Sequence, residues 1–276
     1  MASSMNTPKS QYAVLVDAEN AQWSSLAPIM EEVAALGADS SVRRIYGDFS
    51  KHNLSPWKQV SLELSFRPVN AFSYISGKGS SDAVLIIEAM DFLFRNPNLD
   101  GFVLVSSDSD FTPLAQRLRE AGKCVIGFGQ RQTPAPFVTA CERFIYTENL
   151  GDAAITENSA PVAGGTAGKS SAMPPLTSTT PPTPTTIQGR LLPKGTITVI
   201  NKVIDDASDE DGWLYLARFG DIITTVKSDF DVRSYGCRNL TDFFSQHPEL
   251  FELRRMNSSS SVRIREKCNG DHKRKK

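Results

Sequence analysis

A stretch of forty residues in the middle of the chain, 151–190, lacks the composition that folding requires. It contains no aromatic residue, six prolines, eight threonines and only four charged side chains. Such a stretch buries too little apolar surface to offset the entropy lost on ordering, so we predict a disordered, extended linker. The chain therefore divides into two folded units, 10–150 and 191–267, and a basic tail, 268–276.

The composition of the chain excludes several classes of protein. Thirty Lys and Arg against 31 Asp and Glu give a net charge of −1, which argues against a global basic field. No stretch approaches the ~20 apolar residues of a membrane helix, and residues 1–9 lack the apolar core of a signal peptide. The four cysteines and three histidines do not have the spacing of a zinc site or a disulfide framework. We therefore expect a cytoplasmic protein without membrane contact.

Short apolar runs alternate with helix-period segments in the first unit. The continuous apolar runs, typical of strands covered on both faces, are 12–16, 42–46, 101–105 and 123–128. The helical periods occupy 27–36, 56–64, 83–94 and 113–121. This alternation predicts a parallel α/β sheet with helices on both faces. The helix at 83–94 is apolar almost all round, so we expect it to be buried against the sheet.

The second unit has the outline of a smaller winged helix-turn-helix domain. Its helical periods are 197–207, 214–226 and a short segment around 240–244. Two short strands follow, at 250–254 and 262–265, and three helices with a hairpin are typical of this architecture. We expect four of its aromatic side chains to lie in the core rather than to stack on bases: Trp213, Phe219, Phe230 and Phe244.

Acidic residues stand at the ends of three predicted strands. Asp17 ends the first strand, Asp48 follows the second, and Asp108 and Asp110 follow the run at 101–105. A further carboxylate, Asp82, opens the helix expected to be buried. Because the carboxyl ends of parallel strands form the crevice where ligands bind, we expect these side chains to lie along one edge of the sheet.

The chemistry of such a cluster points to a divalent cation. Carboxylates that crowd together repel one another unless a cation neutralises them, and Mg²⁺ and Mn²⁺ take oxygen ligands. A metal-bound water without a histidine pair or an activated cysteine suits phosphodiester hydrolysis. A single Asp after a strand is also common as a helix cap or turn former, and Asp110 in particular stands where it can cap the next helix. The spacing alone leaves both interpretations open.

Four motifs of the first unit carry a family resemblance. They are 16–20 (VDAEN), 46–48 (YGD), the segment 78–91, and 104–111 (LVSSDSDF). In this order and spacing they resemble an NYN domain, the LabA-like branch of the PIN-type ribonucleases. The resemblance implies a PIN-like α/β sandwich and a metal-dependent ribonuclease that uses Mg²⁺ or Mn²⁺.

The resemblance also assigns roles to residues at matching positions. The implied metal ligands are Asp17, Asp48, Asp82 and Asp108, with Asp110 as the second acid of the Ser-x-Asp-x-Asp motif and a further catalytic residue. The residues expected to support these ligands are Asn20, Ser106 and Glu88. Glu88 stands where the family often has Asp, which keeps a carboxylate but lengthens its arm.

The second unit resembles a LOTUS (OST-HTH) domain through the motifs 211–216 (DGWLYL), 229–231 (DFD), 235–236 (YG) and 240–244 (LTDFF). The resemblance implies a winged-helix module that binds RNA, with G-rich or structured RNA the proposed ligand, while some members bind protein partners. Arginine pairs with phosphate and stacks on bases, although charges on an edge strand also simply prevent aggregation. The RNA-binding candidates across both units are Lys78, Arg131, Arg233, Arg238, Arg254, Arg255, Arg263 and Arg265.

These observations favour a Mg²⁺- or Mn²⁺-dependent ribonuclease whose tethered second unit retains single-stranded or structured RNA. We expect the tether to raise the local concentration of RNA without a fixed arrangement of the two domains, and the basic tail to add phosphate contacts. The first alternative is a non-catalytic RNA-binding adaptor with an inactive NYN domain. The second is a metal-dependent phosphatase, for which the segment 17–19 lacks the second aspartate of a haloacid-dehalogenase nucleophile motif.

Overall fold

The computed structural model contains an N-terminal α/β domain and a smaller C-terminal domain. The structure describes residues 10–71, 80–150, 192–255 and 262–267. The predicted linker, the basic tail and Lys78 lie outside the described residues, so their roles stay predictions. Within the described ranges, no helix is long and apolar enough to cross a membrane.

Six strands form the sheet of the N-terminal domain. They are β1 Ser10–Asp17, β2 Ala38–Gly47, β3 Arg67–Asn70, β4 Gly101–Val105, β5 Cys124–Gly129 and β6 Arg143–Tyr146. Their order is β3-β2-β1-β4-β5-β6, and every neighbouring pair is parallel, which confirms the predicted architecture. Val16 of β1 stands opposite Val105 of β4, so the residues that follow these two central strands begin side by side.

In the described part of the N-terminal domain, five helices cover the two faces of this sheet: α1 Leu26–Ala35, α2 Pro56–Glu63, α3 Ser80–Arg95, α4 Thr112–Glu120 and α5 Ala135–Ala140. Successive side chains of β1 point to opposite faces. Ala13 and Leu15 pack in the core beneath α3, α4 and α5, whereas Val14 and Val16 pack in the core beneath α1 and α2. Burial on both faces explains why β1 is apolar at every position instead of at alternate ones.

The helix at 83–94 packs against the sheet, as predicted, but along one side only. Leu85 and Ala89 are buried, but Ile87 and Phe94 are 64% and 70% exposed. A helix in the outer layer of a sandwich faces the sheet on one side only, so apolar residues on its other side remain at the surface.

Three short elements of the N-terminal domain leave no clear sequence signal: β3, α5 and β6. The two strands have four residues each and lie at the edges of the sheet. β3 is largely exposed, and the apolar run of β6 is only three residues long, so neither has the longer apolar run of a central strand. β3 also contains Pro68, which is tolerated at an edge but argues against a strand in the sequence.

The C-terminal domain has the predicted three helices and hairpin. Its elements are α6 Lys194–Ala207, β7 Leu214–Tyr215, α7 Leu216–Val226, α8 Leu240–Ser245, β8 Phe251–Arg255 and β9 Val262–Glu266. The strands form an antiparallel sheet in the order β7-β9-β8. The four aromatic residues predicted for the core are buried, as expected. The second helix begins two residues later than predicted because Leu214 and Tyr215 pair with β9.

The two domains contact each other directly. The backbone N–H of Phe144, on β6, donates to the carbonyl oxygen of Ser228 at 2.9 Å, and Arg233 forms an ion pair with Glu32 at 2.9 Å. The structure therefore corrects the expectation of two domains without a fixed arrangement. An edge strand leaves backbone groups unpaired, and the C-terminal domain satisfies one of them.

Candidate functional site

Asp17 is the buried centre of the predicted site. It ends β1, and its side chain accepts hydrogen bonds from Ser106 Oγ at 2.8 Å and from Asn20 Nδ2 at 2.9 Å. The backbone N–H of Glu19 donates to it at 3.0 Å. Burial raises the pKa of Asp17, and these hydrogen bonds oppose that shift because they favour the charged form. The roles predicted for Asn20 and Ser106 are consistent with this geometry.

Asp108 is tied to Asp17 through Ser106, which is itself buried just after β4. The backbone N–H of Asp108 donates to Ser106 Oγ at 3.1 Å, while the hydroxyl donates onward to Asp17. The Asp108 carboxylate also accepts from the backbone N–H of Asp110 at 2.9 Å and so caps the short turn Ser109–Phe111. Asp108 therefore caps a turn and also contributes its charge to the predicted site. The interpretation as a cap and the interpretation as a site residue do not exclude each other.

Glu19 is an acidic residue of the site that the sequence reasoning did not select. Its carboxylate accepts from Ser81 Oγ at 3.0 Å and from Lys51 Nζ at 2.6 Å. These contacts connect the loop after β1 to the first turn of α3, where Asp82 lies. The available signal was its place two residues after Asp17 in the first motif, but Glu19 does not itself end a strand.

The pKa of Asp82 reports how closely the acids gather. Burial is the largest cause of its rise from 3.8 to about 6, and the negative charges of Asp17, Asp108, Glu19 and Asp110 add to it in that order. These carboxylates come from the loops after β1 and β4 and from the start of α3. The topology of the parallel sheet thus brings residues that are far apart in sequence into one negative field.

Two further predicted carboxylates, Asp48 and Glu88, do not act on Asp82 and have hydrogen-bond partners of their own. Asp48 follows β2 and is buried, and its side chain accepts from the backbone N–H of Ser50 at 3.2 Å and from the Ser50 hydroxyl at 2.5 Å. Glu88, on α3, accepts from Tyr46 Oη at 2.7 Å and lies 3.9 Å from the Arg44 guanidinium. Neither is among the charges that raise the pKa of Asp82. Glu88 joins α3 to the sheet, a structural contact that its position in the motif does not reveal.

The chemistry of the acidic residues fits a hard divalent cation. They offer only oxygen donors, which Mg²⁺ and Mn²⁺ prefer, and a cation among them would relieve the repulsion felt by Asp82. No three His, Cys, Asp or Glu side chains in the described part of the chain already surround a common point as metal ligands do. Among the predicted ligands, Asp17 and Asp108 are the ones whose charges act on Asp82.

A groove of about 540 Å³ adjoins the acidic residues and is lined mainly by uncharged polar side chains. Asn20, Gln22, Gln130 and Gln132 all contribute to it. Gln132 Nε2 donates to Gln130 Oε1 at 2.6 Å, and the backbone N–H of Gln130 donates to Ser107 Oγ at 2.9 Å. Amides both donate and accept hydrogen bonds, as do the edges of nucleobases. This groove was not predicted from the sequence.

Comparison with known protein families agrees with this architecture. The family model described as NYN domain matches residues 11–150, and the one described as OST-HTH/LOTUS domain matches residues 191–262. The chain belongs to the NYN domain family. A LOTUS domain follows the NYN domain, and both predicted resemblances are thereby confirmed.

No curated protein matches this NYN–LOTUS chain. Among the similar solved structures is a protein of unknown function from Vibrio parahaemolyticus, with 19% identity over 53% of this chain and 96% of its own, at a TM-score of 0.42. An uncharacterized protein from Nitrosomonas europaea is 24% identical over 37% of this chain and 100% of its own, at a TM-score of 0.28.

Three of the predicted RNA-binding arginines meet on the LOTUS sheet. Arg254, Arg263 and Arg265 line a groove of about 360 Å³ together with Asp211 and Trp213. The Arg265 guanidinium lies 4.7 Å from the centre of the Trp213 ring, and Arg265 also pairs with a neighbouring glutamate at 2.6 Å. The arrangement combines positive charge with an aromatic surface.

The other candidates lie elsewhere. Arg255 is exposed at the end of β8, and Arg238 is exposed just before α8. Arg131, in the loop after β5, donates to Asn149 Oδ1 at 2.7 Å. Arg233 is committed to ion pairs, including one with Glu32 of the NYN domain, so the structure places it between the domains and not on an open RNA-binding face.

Proposed function

We propose that the chain is a divalent-metal-dependent ribonuclease whose NYN domain hydrolyses RNA phosphodiester bonds and whose LOTUS domain binds RNA. NYN domains belong to the PIN-like nuclease superfamily, and the family model covers the whole N-terminal domain. The observation that carries the proposal is the geometry at the ends of β1 and β4, where Ser106 joins Asp17 and Asp108 by hydrogen bonds of 2.8 and 3.1 Å. Asp82 lies in the same negative field, which four other carboxylates produce. Such crowding is unfavourable for the protein alone and becomes favourable around a cation.

In this proposal Asp17, Asp82 and Asp108 hold Mg²⁺ or Mn²⁺, and Asp110 adds negative charge at the rim. The bound ion supplies Lewis acidity and lowers the pKa of water. Asn20 and Ser106 hold the Asp17 carboxylate in one orientation through hydrogen bonds of 2.9 and 2.8 Å. Such supporting contacts commonly change metal affinity by about 10- to 100-fold. Asp48 stays a predicted ligand, and its carboxylate also accepts hydrogen bonds from Ser50 within its own turn.

Protons and the metal ion compete for the same carboxylates. With a pKa of about 6, Asp82 keeps part of its proton in mildly acidic solution. Binding of a divalent cation releases that proton, so metal affinity rises as the pH rises through about 6. A ribonuclease built on this site is therefore expected to lose activity below that pH.

The LOTUS groove supports the RNA-binding half of the proposal. Arg254, Arg263 and Arg265 line this groove together with Trp213. The Arg265 guanidinium lies over Trp213 and that of Arg263 over Tyr215, and arginine with aromatic rings suits phosphate contacts and base stacking. Arg254 is exposed and serves as the test residue. We expect Arg254→Glu to weaken RNA binding, whereas Arg218→Glu, an equal charge change on an exposed position of α7, leaves it unchanged within about twofold.

The catalytic half is tested with pure full-length protein and labelled single-stranded, structured and G-rich RNA, in Mn²⁺ or Mg²⁺ and in EDTA. Cleavage is expected only with metal, and Asp17→Asn and Asp108→Asn are expected to lower it by about 100-fold. Asp91→Asn is the matched control, because Asp91 is exposed on α3 and pairs with Arg95 at 3.3 Å.

The outcomes separate the alternatives. Equal cleavage by both site variants would reject the proposed catalytic acids. Tight RNA binding without cleavage in any metal would favour the non-catalytic adaptor. Release of only terminal phosphate groups, with the internal bonds intact, would favour the phosphatase.

A further inference from the structure

The LOTUS domain is fastened to the edge of the NYN sheet by the docking segment, which we define as residues 227–235 after α7. Its Ser228 carbonyl accepts from the backbone N–H of Phe144 at 2.9 Å, and its Ser228 hydroxyl donates to the carbonyl of Val138 at 3.0 Å. These bonds join the segment to β6 and to α5. The contact therefore continues the hydrogen bonding of the sheet beyond its last strand.

A charged contact fixes the docking segment at a second point. Both terminal nitrogens of Arg233 donate to the Glu32 carboxylate of α1, at 2.9 and 3.1 Å. The Glu32 side chain is 17% exposed and that of Arg233 is 31% exposed. Two parallel bonds between planar groups define their relative orientation as well as their distance. Arg143 approaches the same carboxylate at 4.0 Å.

A third contact lies nearer the carboxyl end of the sheet. Asn149 Nδ2 donates to Ser234 Oγ at 2.9 Å, and Tyr146 Oη donates to Asp229 Oδ2 at 3.0 Å. Together with Ser228 and Arg233, these residues hold the docking segment at separate points on α1, α5, β6 and the following turn. Such a contact sets the orientation of the LOTUS domain relative to the acidic residues.

Docking creates a groove of about 270 Å³ between the domains. Arg131 and Tyr146 line its NYN side, and Lys227, Ser234 and Tyr235 line its LOTUS side together with Asp229 and Pro193. The Arg131 guanidinium lies 5.7 Å from the centre of the Tyr146 ring. Lys227 is paired with Asp229, so the lining carries two cations and one anion.

The linings of the interdomain groove and of the groove beside the acidic residues meet in the loop after β5. Arg131, which lines the interdomain groove, directly follows Gln130 in the chain. Gln130 lines the groove of about 540 Å³ beside the acidic residues, which we call the amide groove. The amide groove in turn contains Asn20, which bonds to Asp17. Cationic and aromatic side chains are thus followed by amides and then by carboxylates. Single-stranded nucleic acid is bound by this combination of charge and stacking surfaces.

We propose that the docked domains form one groove for a single RNA strand, running from Lys227 and Tyr146 past Gln130 to the acidic residues, and that the Glu32–Arg233 ion pair maintains it. This inference rests on the proposed function, since it names the strand that the acidic residues would cut. Arg131 and Lys227 contact phosphates of the strand, and the tyrosine rings offer stacking surfaces beside them.

The docking is tested by charge reversal in the full-length chain. Glu32→Arg places a cation against Arg233 and Arg143 and is expected to separate the domains, which small-angle X-ray scattering records as a larger radius of gyration. The same variant is expected to weaken binding of a single-stranded oligonucleotide of about 12 nucleotides by about tenfold, within the usual range of coupling between sites. Binding is measured in EDTA, so it does not depend on cleavage.

Two variants control for charge and for misfolding. Glu31→Arg makes the same charge change on the exposed neighbouring position of α1 and is expected to leave the radius and the affinity unchanged. Glu32→Arg with Arg233→Glu restores an ion pair of opposite sense. Because the new carboxylate stands beside Asp231 and the new guanidinium beside Arg143, we expect it to recover part of both the radius and the affinity. Rescue by a second substitution cannot arise from a protein that has failed to fold.

Direct contact with RNA is tested by Arg131→Ala and Lys227→Ala. Each is expected to reduce the slope of log affinity against log salt by about 0.7, the value for one lost phosphate contact on a single strand. An unchanged affinity and slope in both variants would overturn the groove, even if the protein cleaves RNA. Domains that separate in Glu32→Arg without any loss of affinity would overturn it as well, as would a radius that does not change. Absence of cleavage despite these effects would refute only the catalytic proposal.

Discussion

Replacing Asp82 by Asn is expected to stabilise the metal-free protein at neutral pH. Burial and the charges of Asp17, Asp108, Glu19 and Asp110 raise the pKa of Asp82 from 3.8 to about 6. The ionised side chain is therefore less favourable in the folded protein than in the unfolded chain. Asparagine keeps the shape of the carboxyl group and removes its charge.

The pKa fixes the sign and the pH range of the effect. Because the folded protein holds the Asp82 proton more tightly than the unfolded chain, this residue lowers the free energy of unfolding as pH rises from about 4 to about 6. The full shift would correspond to ~3 kcal/mol. Asp82 is partly exposed, and solvent screening reduces the expected effect to ~1 kcal/mol.

Urea unfolding of the full-length chain in EDTA measures this difference. At about pH 7.5 the free energy of unfolding of Asp82→Asn should exceed that of the wild type by ~1 kcal/mol, and at about pH 4.5 the gain should largely disappear. Asp91→Asn, an exposed substitution on the same helix, should stay within ~0.5 kcal/mol at both pH values. Mn²⁺ should stabilise the wild type more than Asp82→Asn, because a ligand of the folded state raises its stability.

An Asp82→Asn protein that is less stable than the wild type at neutral pH would show that ionised Asp82 does not destabilise the folded protein. So would a gain of equal size at both pH values, since it would not come from ionisation. Either result would mean that the acids do not share one negative field.

Three further substitutions test, in turn, the support of Asp17, the packing of neighbouring strands and the cap of α8. Ser106→Ala removes a 2.8 Å bond to Asp17 and should weaken Mn²⁺ binding about tenfold, measured by calorimetry; unchanged affinity would deny Ser106 an orienting role. Gly101→Ala would place a methyl group 2.5 Å from the carbonyl oxygen of Cys124 in the neighbouring strand and should lower the free energy of unfolding by about 2–3 kcal/mol. Asn239→Ala removes the side chain that caps α8 and should lower it by about 1 kcal/mol; both are measured in urea, where wild-type stability would contradict the assigned contacts.

The central strands were predictable because burial on both faces leaves a direct record in the sequence. The run at 101–105 coincides with β4 at both ends. Once these strands are parallel, their carboxyl ends share an edge, so Asp17 and Asp108 could be placed together from the chain alone. The sequence could not predict that one side of α3 is exposed to solvent. An apolar residue such as Ile87 or Phe94 looks the same in the sequence whether it lies at the surface or in the core.

Contacts between the two domains left no sequence signal. Arg233 has the appearance of an RNA-binding side chain, but its partner Glu32 lies 201 residues away in the chain. Ser228 offers only a backbone carbonyl and a hydroxyl to the sheet, and serines of this kind are common in loops. The docking of the two domains therefore emerges only from the three-dimensional arrangement.

Titration of Mn²⁺ into the full-length chain by calorimetry shows whether these acids form one metal site. We predict saturable binding that Asp17→Asn and Asp108→Asn each weaken at least about tenfold, while Asp91→Asn binds as the wild type does. Equal Mn²⁺ affinity in the wild type and in Asp17→Asn would contradict the claim that these acids form one metal site.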